Sequence, residues 1–374
     1  MRRKRWYGEG EGSDCPLDRL LDEAQATISV GVRELCCRLG IAGGSFARSA
    51  ENLKRAAMLS MAEEKLRAVV ESEGKAVQAA SRDEQLELDW SAAQCKTLTP
   101  AGEQVSRIYV SADGVMVPMT TAAEKMKRRG TVLKKRREKP RKRGRTGLPA
   151  VKTGSDQRYK QVYVTAFYDQ EQDHRLVSVT RRDHRGLGKL LKRDGARLRI
   201  RAADERVGLV DGAVCLRNHL EGLPLTAVGL DFYHLGEHVH AGRRQTFGEE
   251  SEEGKQWASH ALHTVRHEGY EPFWKKLTDW RGCQQGRAQR QSADGLLHYV
   301  AQRREMLDYE EFEKRGWHIG SGPIEAMCKA TTRRLKGPGM RWDADHAEAM
   351  MALESLYQSN LWDGYWTTTV YRRI

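Results

Sequence analysis

The chain has 374 residues, 39% hydrophobic and 31% charged, with a formal net charge of +13 and a pI of about 9.4. That length suggests two or three domains with real cores. No run approaches the ~18 apolar residues of a membrane span, and no apolar signal core follows the basic start Arg2-Arg3-Lys4-Arg5, so a cytoplasmic protein with no membrane partner is expected. Seven cysteines without a Cys-x-x-Cys pair fit free thiols in a reducing compartment.

Residues 1–14 are basic and then glycine-rich, which predicts a disordered lead. Residues 15–103 are expected to form a helical region followed by a linker from 81. VGVRELCCRLG (30–40) has helical apolar spacing and stops at Gly40. SFARSAENLKRAA (45–57) opens on Ser45 as a candidate N-cap. SMAEEKLRAVVESEGKAVQAA (60–80) opens on Ser60, with Glu63 at the capping-box position. Three short helices with tight turns fit either a DNA-binding helix-turn-helix module or a plain bundle.

Strand patterns follow. RIYVSADGVMVPM (107–119), YKQVYVTAFYD (159–169) and HRLVSVTRRD (174–183) are rich in Val, Tyr and Thr, with a hairpin-type turn at Asp169-Gln170-Glu171-Gln172. A helix at 185–204, a strand RVGLVDG (206–212), a helix at 213–221 and a strand AVGLDFYH (227–234) complete the run. Three antiparallel strands leading into two crossovers match a ribonuclease-H-like mixed five-stranded sheet in an α/β domain. Residues 235–315 read as a helical insertion. The sheet domain then resumes over 316–374, with a helix at 344–358. Its first part is 104–234.

Within that first part, 120–157 reads as a basic loop. Residues 125–145 alone hold thirteen lysines and arginines against Glu138, a net +12 of the chain's +13. Self-repulsion predicts a mobile arm, and so many clustered cations point to a polyanion. Without aromatic residues or a repeat, the arm favours phosphate contact over base reading. Its candidate contacts include Lys125, Lys127, Arg128, Arg129, Lys134, Lys135, Arg136 and Arg137.

The acids carry the chemistry. Asp113 and Asp211 each follow an apolar strand and precede a glycine. A lone Asp-Gly is most often a turn. Two at strand ends instead place two desolvated carboxylates at one sheet edge, a natural magnesium site. Glu325 lies in GSGPIEAMCKATTRRLK, where Pro323 suits the first helical turn. Lys329 and Arg333 follow at i+4 and i+8, expected on the same face. A carboxylate in a first turn also complements the helix dipole.

VSADGVMVP, LVDGAVCL, LDFYH and HIGSGPIEAMCKATTRRLKGPGMRW resemble bacterial insertion-sequence transposases of the Kra group, within the DDE class that has a ribonuclease-H-like domain. Mutator-like and hAT-like elements share part of the pattern. The resemblance runs from about Cys15 to near the C-terminus and is weakest over 1–14 and 120–157. It implies Asp113, Asp211 and Glu325 as catalytic, metal-binding acids. Asp231-Phe232-Tyr233-His234 matches an Asp-x-x-His motif twenty residues after the second acid, which makes Asp231 and His234 supporting residues. Asp231 is also an alternative second acid.

The activity implied is cleavage of transposon ends and their joining to target DNA. Two Mg2+ ions, with Mn2+ able to substitute, would clamp the attacking and leaving oxygens of one phosphodiester, with Asp113 bridging them. Partners implied are double-stranded DNA (terminal inverted repeats and target) and a second copy of the chain, at the bacterial nucleoid. Lys329, Arg333, Arg334 and Lys336 would hold DNA, and Trp280 is the candidate to stack on an unpaired base. A catalytically inert DNA-binding descendant and a stand-alone nuclease are the competing functions. Zinc at His260, His263 and His267, or at His238 and His240, is set aside for want of cysteines at ligand spacing. RGLGKLL (185–191) lacks the glycine and hydroxyl of a phosphate loop.

Overall fold

A computed structural model describes residues 6–8, 11–14, 28–138 and 158–371. Part of the lead departs from the expected disorder: β1 (Trp6–Gly8) pairs antiparallel with β2 (Glu11–Asp14). Three helices follow, α1 (Val30–Ala42), α2 (Phe46–Ala57) and α3 (Glu63–Arg82). Ser45 caps α2 as expected, its hydroxyl accepting from the Arg48 amide at 3.1 Å. The stop at Gly40 and the capping box at Ser60 do not occur. Gly40 is buried inside α1, which runs on to Gly43, and α3 starts three residues after Ser60 with no side-chain cap.

These helices share a core with the far end of the chain. α3 packs on α13 (Ala344–Gln358) so closely that a side chain at Gly74 would meet the Ala349 carbonyl oxygen at 2.4 Å. Trp362, which opens α14 (Trp362–Tyr371), donates to Glu34 of α1 at 2.9 Å.

The stretch expected to be linker contributes β3 (Lys96–Leu98), which pairs with β4 (Gln104–Thr120). β4 organises a seven-stranded mixed sheet. β5 (Tyr159–Tyr168) lies antiparallel to it and β6 (Arg175–Thr180) antiparallel to β5. On the other side lie β7 (Glu205–Val210) and β8 (Ala227–Leu230), both parallel to β4. The spatial order is β6-β5-β4-β7-β8, with β3 and β9 (Trp342–Asp343) also on β4. β4 is buried along most of its length because it is central and covered on both faces, which explains its nearly continuous apolar run.

The connections include α5 (His184–Arg197) after β6 and α6 (Val214–Glu221) between β7 and β8. The basic segment is not a loop where it is described. Residues Ala122–Glu138 form helix α4. Thr121 and Glu124 start it with a reciprocal capping box: the Glu124 amide donates to Thr121 Oγ1 (3.2 Å) and the Thr121 amide to Glu124 Oε2 (2.8 Å). Lysine and arginine are good helix formers, and this cap satisfies amides at the helix start. The rest of the arm, 139–157, lies outside the described residues.

β8 is shorter than expected. It ends at Leu230, and Asp231 caps α7 (Phe232–Phe247). The insertion then continues as α8 (Glu252–His267), α9 (Tyr270–Gly282), α10 (Arg287–Ala301) and α11 (Tyr309–Lys314). Val239, Ala261, Phe273, Leu277, Trp280 and Leu296 of this region are buried in the core that runs through the whole chain. α12 (Gly322–Arg333) returns the chain to β4. Among the described residues no helix is long and apolar enough to cross a membrane.

Candidate functional site

The pairing of β4 with β7 stops at Ser111↔Leu209, and β4 meets β9 only from Met119 onward. Between these points one edge of β4 is unpaired. Asp113 stands in that gap, opposite Val164 of β5 on the other edge. It is therefore mid-strand rather than at a strand end. Asp-Gly makes no turn there, because β5 holds β4 in register from Tyr109 to Pro118.

Asp113, Asp211 and Glu325 all line one cleft in this gap, together with Asp231, His234, Glu237, Cys328, Lys329 and Lys336. The three acids come from β4, the exit of β7 and the first turn of α12. Burial pushes the Asp113 carboxyl above its usual range, and the neighbouring charges of Asp211 and Glu325 push it further. The Gly114 amide, 2.6 Å from Asp113 Oδ1, and the Cys328 thiol act the other way. Their carboxylate oxygens do not all approach within 4.8 Å of one another. Glu325 is the exposed member, with Lys329 Nζ 3.8 Å away, so its side chain has room to move.

Asp211 is aimed by its surroundings. Its Oδ1 accepts from the Ala213 amide at 2.9 Å ahead of α6. Gly212 has φ +89° and its carbonyl takes two hydrogen bonds from the buried guanidinium of Arg303 (Nε 2.9 Å, Nη2 2.5 Å). A side chain at 212 would meet Tyr299 and Arg303 at 2.7 Å. The glycine thus serves both the left-handed backbone and the close approach.

Asp231 is of a different kind. It is 2% exposed, and its oxygens accept from the His234 amide (2.7 Å), the Ser321 amide (2.5 Å) and the Ser321 hydroxyl (2.5 Å). It caps α7 and ties down the residue from which α12 starts. Its lone pairs are committed to fold geometry, whereas Asp211 accepts a single amide.

Several expected DNA contacts fall elsewhere. Arg334 is buried, its guanidinium over the rings of Phe46 and Trp342, with Nε donating to the Gly40 carbonyl at 3.1 Å. It fastens α1 and α2 to the sheet domain. Arg333 stands beside Glu354 of α13 and does not line the cleft. Eight residues carry it ~80° round the helix from Glu325, whereas Lys329 stays near its face. Trp280 is 5% exposed and packs on Trp257 at 4.5 Å between ring centroids, so it has no face for a base.

In α4, Lys125 pairs with Asp343 and Arg128 is half-buried, while Lys127, Arg129 and Lys134 are exposed. Lys135, Arg136 and Arg137 belong to the helix, but their side chains lie outside the described residues.

Sequence reasoning missed Cys328, Ser321 and Arg303. Cys328 sits three residues after Glu325, a helical spacing that offered a signal. Ser321 and Arg303 act through contacts 90 and 91 residues away, which no local pattern reveals. Comparison with protein-family profiles and with characterised proteins finds no match to this chain.

Proposed function

We propose that the chain is a DDE-type DNA transposase that cleaves element ends and joins them to target DNA. The observation that carries this reading is the meeting of Asp113, Asp211 and Glu325, remote in sequence, on one cleft of a mixed sheet. The strand order adds weight. Taken from β4, it runs third, second, first, fourth, fifth, with the first three antiparallel and the last two parallel. That order supports the ribonuclease-H-like reading of the sheet. The motifs that resemble Kra-group transposases supply all three acids.

The donor set is consistent with magnesium or manganese. The three acids offer oxygen, and Asp113 is a desolvated carboxylate crowded by two others, an arrangement a hard divalent cation relieves. Asp113, Asp211 and Glu325 would hold the metal. When bound, two such ions supply activation of the attacking oxygen and stabilisation of the leaving one. The chain's own residues do the rest. Asp231 fixes the start of α12 through Ser321 and so positions Glu325. Arg303 fixes the loop that presents Asp211. Lys329 and Lys336 bring positive charge to the cleft for a DNA phosphate. Exposed cations of α4, Lys127, Arg129 and Lys134, offer further positive charge for DNA.

The test is strand transfer by purified protein on DNA ending in the terminal repeats that flank its own gene, with magnesium and a target plasmid. Joined product that disappears in Asp113→Asn supports the reading. Cutting without joining would identify a nuclease, and binding of the ends without cutting an inert relative.

A further inference from the structure

We propose that Cys95, Asp169 and His174 form a second metal site, for a zinc-class divalent ion, built into the sheet away from the acidic cleft. Cys95 follows a 3-10 turn, Ala92–Gln94, ahead of β3. Asp169 follows β5 and His174 precedes β6, so these two face each other across the hairpin turn. One donor atom from each residue lies within 4.8 Å of the other two, the sole such group among the described residues.

Asp169 makes the case for a cation. Its side chain is nine-tenths buried. Oδ2 meets His174 Nδ1 at 2.7 Å, but Oδ1 is buried with no hydrogen-bond partner. An Asp–His pair alone leaves that oxygen stranded, which is costly in a protein interior. The Cys95 thiol is equally underused. It is 1% exposed and reaches only the Ser91 carbonyl, at 3.9 Å. Burial, with the Asp169 charge beside it, pushes the thiol up to about 12. A bound cation reverses that penalty.

The donor set selects the ion. Sulfur, imidazole nitrogen and one carboxylate oxygen suit zinc and its late transition-metal neighbours, whereas magnesium takes oxygen. Three protein donors leave the fourth tetrahedral position to solvent. His174 is the way in, with 35% of its side chain exposed, and the Trp90 ring shelters it at 5.3 Å. On binding, Cys95 forms a sulfur–metal bond and its proton goes to water. His174 contributes a lone pair from the neutral ring, and no electron changes hands. The ion pins the β5–β6 hairpin to the segment before β3. Along β5 it lies five residues from Val164, the partner of Asp113, or roughly 16 Å at strand rise.

The experiment uses the full chain, stripped with chelator and titrated with Co2+ as the probe. One equivalent should bind, with a thiolate-to-cobalt charge-transfer band in the near ultraviolet and release of about one proton. Zinc should bleach the band and magnesium should not. Cys95→Ser should abolish it, while Cys215→Ser and Cys283→Ser, which remove exposed thiols, should leave it intact. If Cys95→Ser does not fold, His174→Gln, partly exposed, should weaken cobalt binding by at least about 10-fold with the fold retained. A wild-type chain without the band, or a band that survives both Cys95→Ser and His174→Gln, overturns the proposal. None of these readouts depends on DNA cleavage.

Discussion

At one end of β4 the buried guanidinium of Arg107 donates to Glu205 (2.6 Å), to Gln170 (3.0 Å) and to the carbonyls of Arg315 and Gly316 (both 2.8 Å). A few residues along the same strand, Asp113 faces Asp211 and Glu325 with only an amide and a thiol to offset them. Glu205 is also met by Trp317 Nε1 at 2.9 Å, and Tyr109 donates to Gln170 at 2.7 Å. One strand thus carries a saturated polar network and, on the same backbone, a cluster of like charges. Full pairing marks a charge that holds the fold together. Like charges kept together mark a place where something else completes the balance.

The largest effect that could break this contrast is on cleavage. Asp113→Asn should lower magnesium-dependent cutting by on the order of 10³-fold or more while end binding, read by gel shift, stays near wild type. Cutting at the wild-type rate would remove Asp113 from the reaction. At the saturated end, Arg107→Met should destabilise the fold by about 3–5 kcal/mol, because Glu205 is left without its ion pair. Urea unfolding monitored by circular dichroism reads this, and an unchanged midpoint would show the network to be ornamental.

Asp231→Ala should cost about 2–3 kcal/mol, since it removes the cap of α7 and strands the buried Ser321 amide. If Asp231 positions Glu325, cutting falls as well, but less than in Asp113→Asn. The reverse ranking would make Asp231 the second acid of the cleft.

A smaller effect has the opposite sign. The folded chain favours the neutral form of Asp113. The stability this group contributes is therefore complete below the ordinary carboxylate range and is lost as pH rises through its raised value. Without divalent metal at pH 7, Asp113→Asn should melt at or above the wild type, and the gap should close below about pH 4. A variant that melts lower at pH 7 would show the carboxylate to be well served. The smallest expected change is electrostatic. Alanine at Lys127, Arg129 and Lys134 together should flatten the log–log salt dependence of DNA binding by about 0.9 for each phosphate contact removed. An unaltered slope would place the DNA elsewhere.

Much of this was legible in the chain because local chemistry and tertiary structure agree. β5, β6, β7 and the helix at 344–358 lie close to where the Val- and Tyr-rich runs and the helical spacing put them. Ser45 caps the helix it was expected to cap. Legibility fails where a distant partner decides. Asp113 looked like a strand end, and only β5 carries the strand through it. The basic segment reads as a loop because its charge dominates the pattern, while the cap that starts its helix rests on only two residues, Thr121 and Glu124. The fates of Trp280 and Arg334 were set by the cores they enter, not by their neighbours in sequence. The three ligands proposed for the second metal come from positions 95, 169 and 174, a spacing that matches no short motif.

Gly212 carries one more consequence. The residue is locked by its backbone angle and by the crowding of Tyr299 and Arg303, so any lineage that keeps this architecture keeps glycine there, whatever has become of its chemistry. Position 211 is held by less, a single hydrogen bond from the Ala213 amide to its carboxylate. If the proposed chemistry holds, a copy that has lost it is free to change Asp211 while keeping Gly212, which makes the letter before the glycine the place where lost activity would show first.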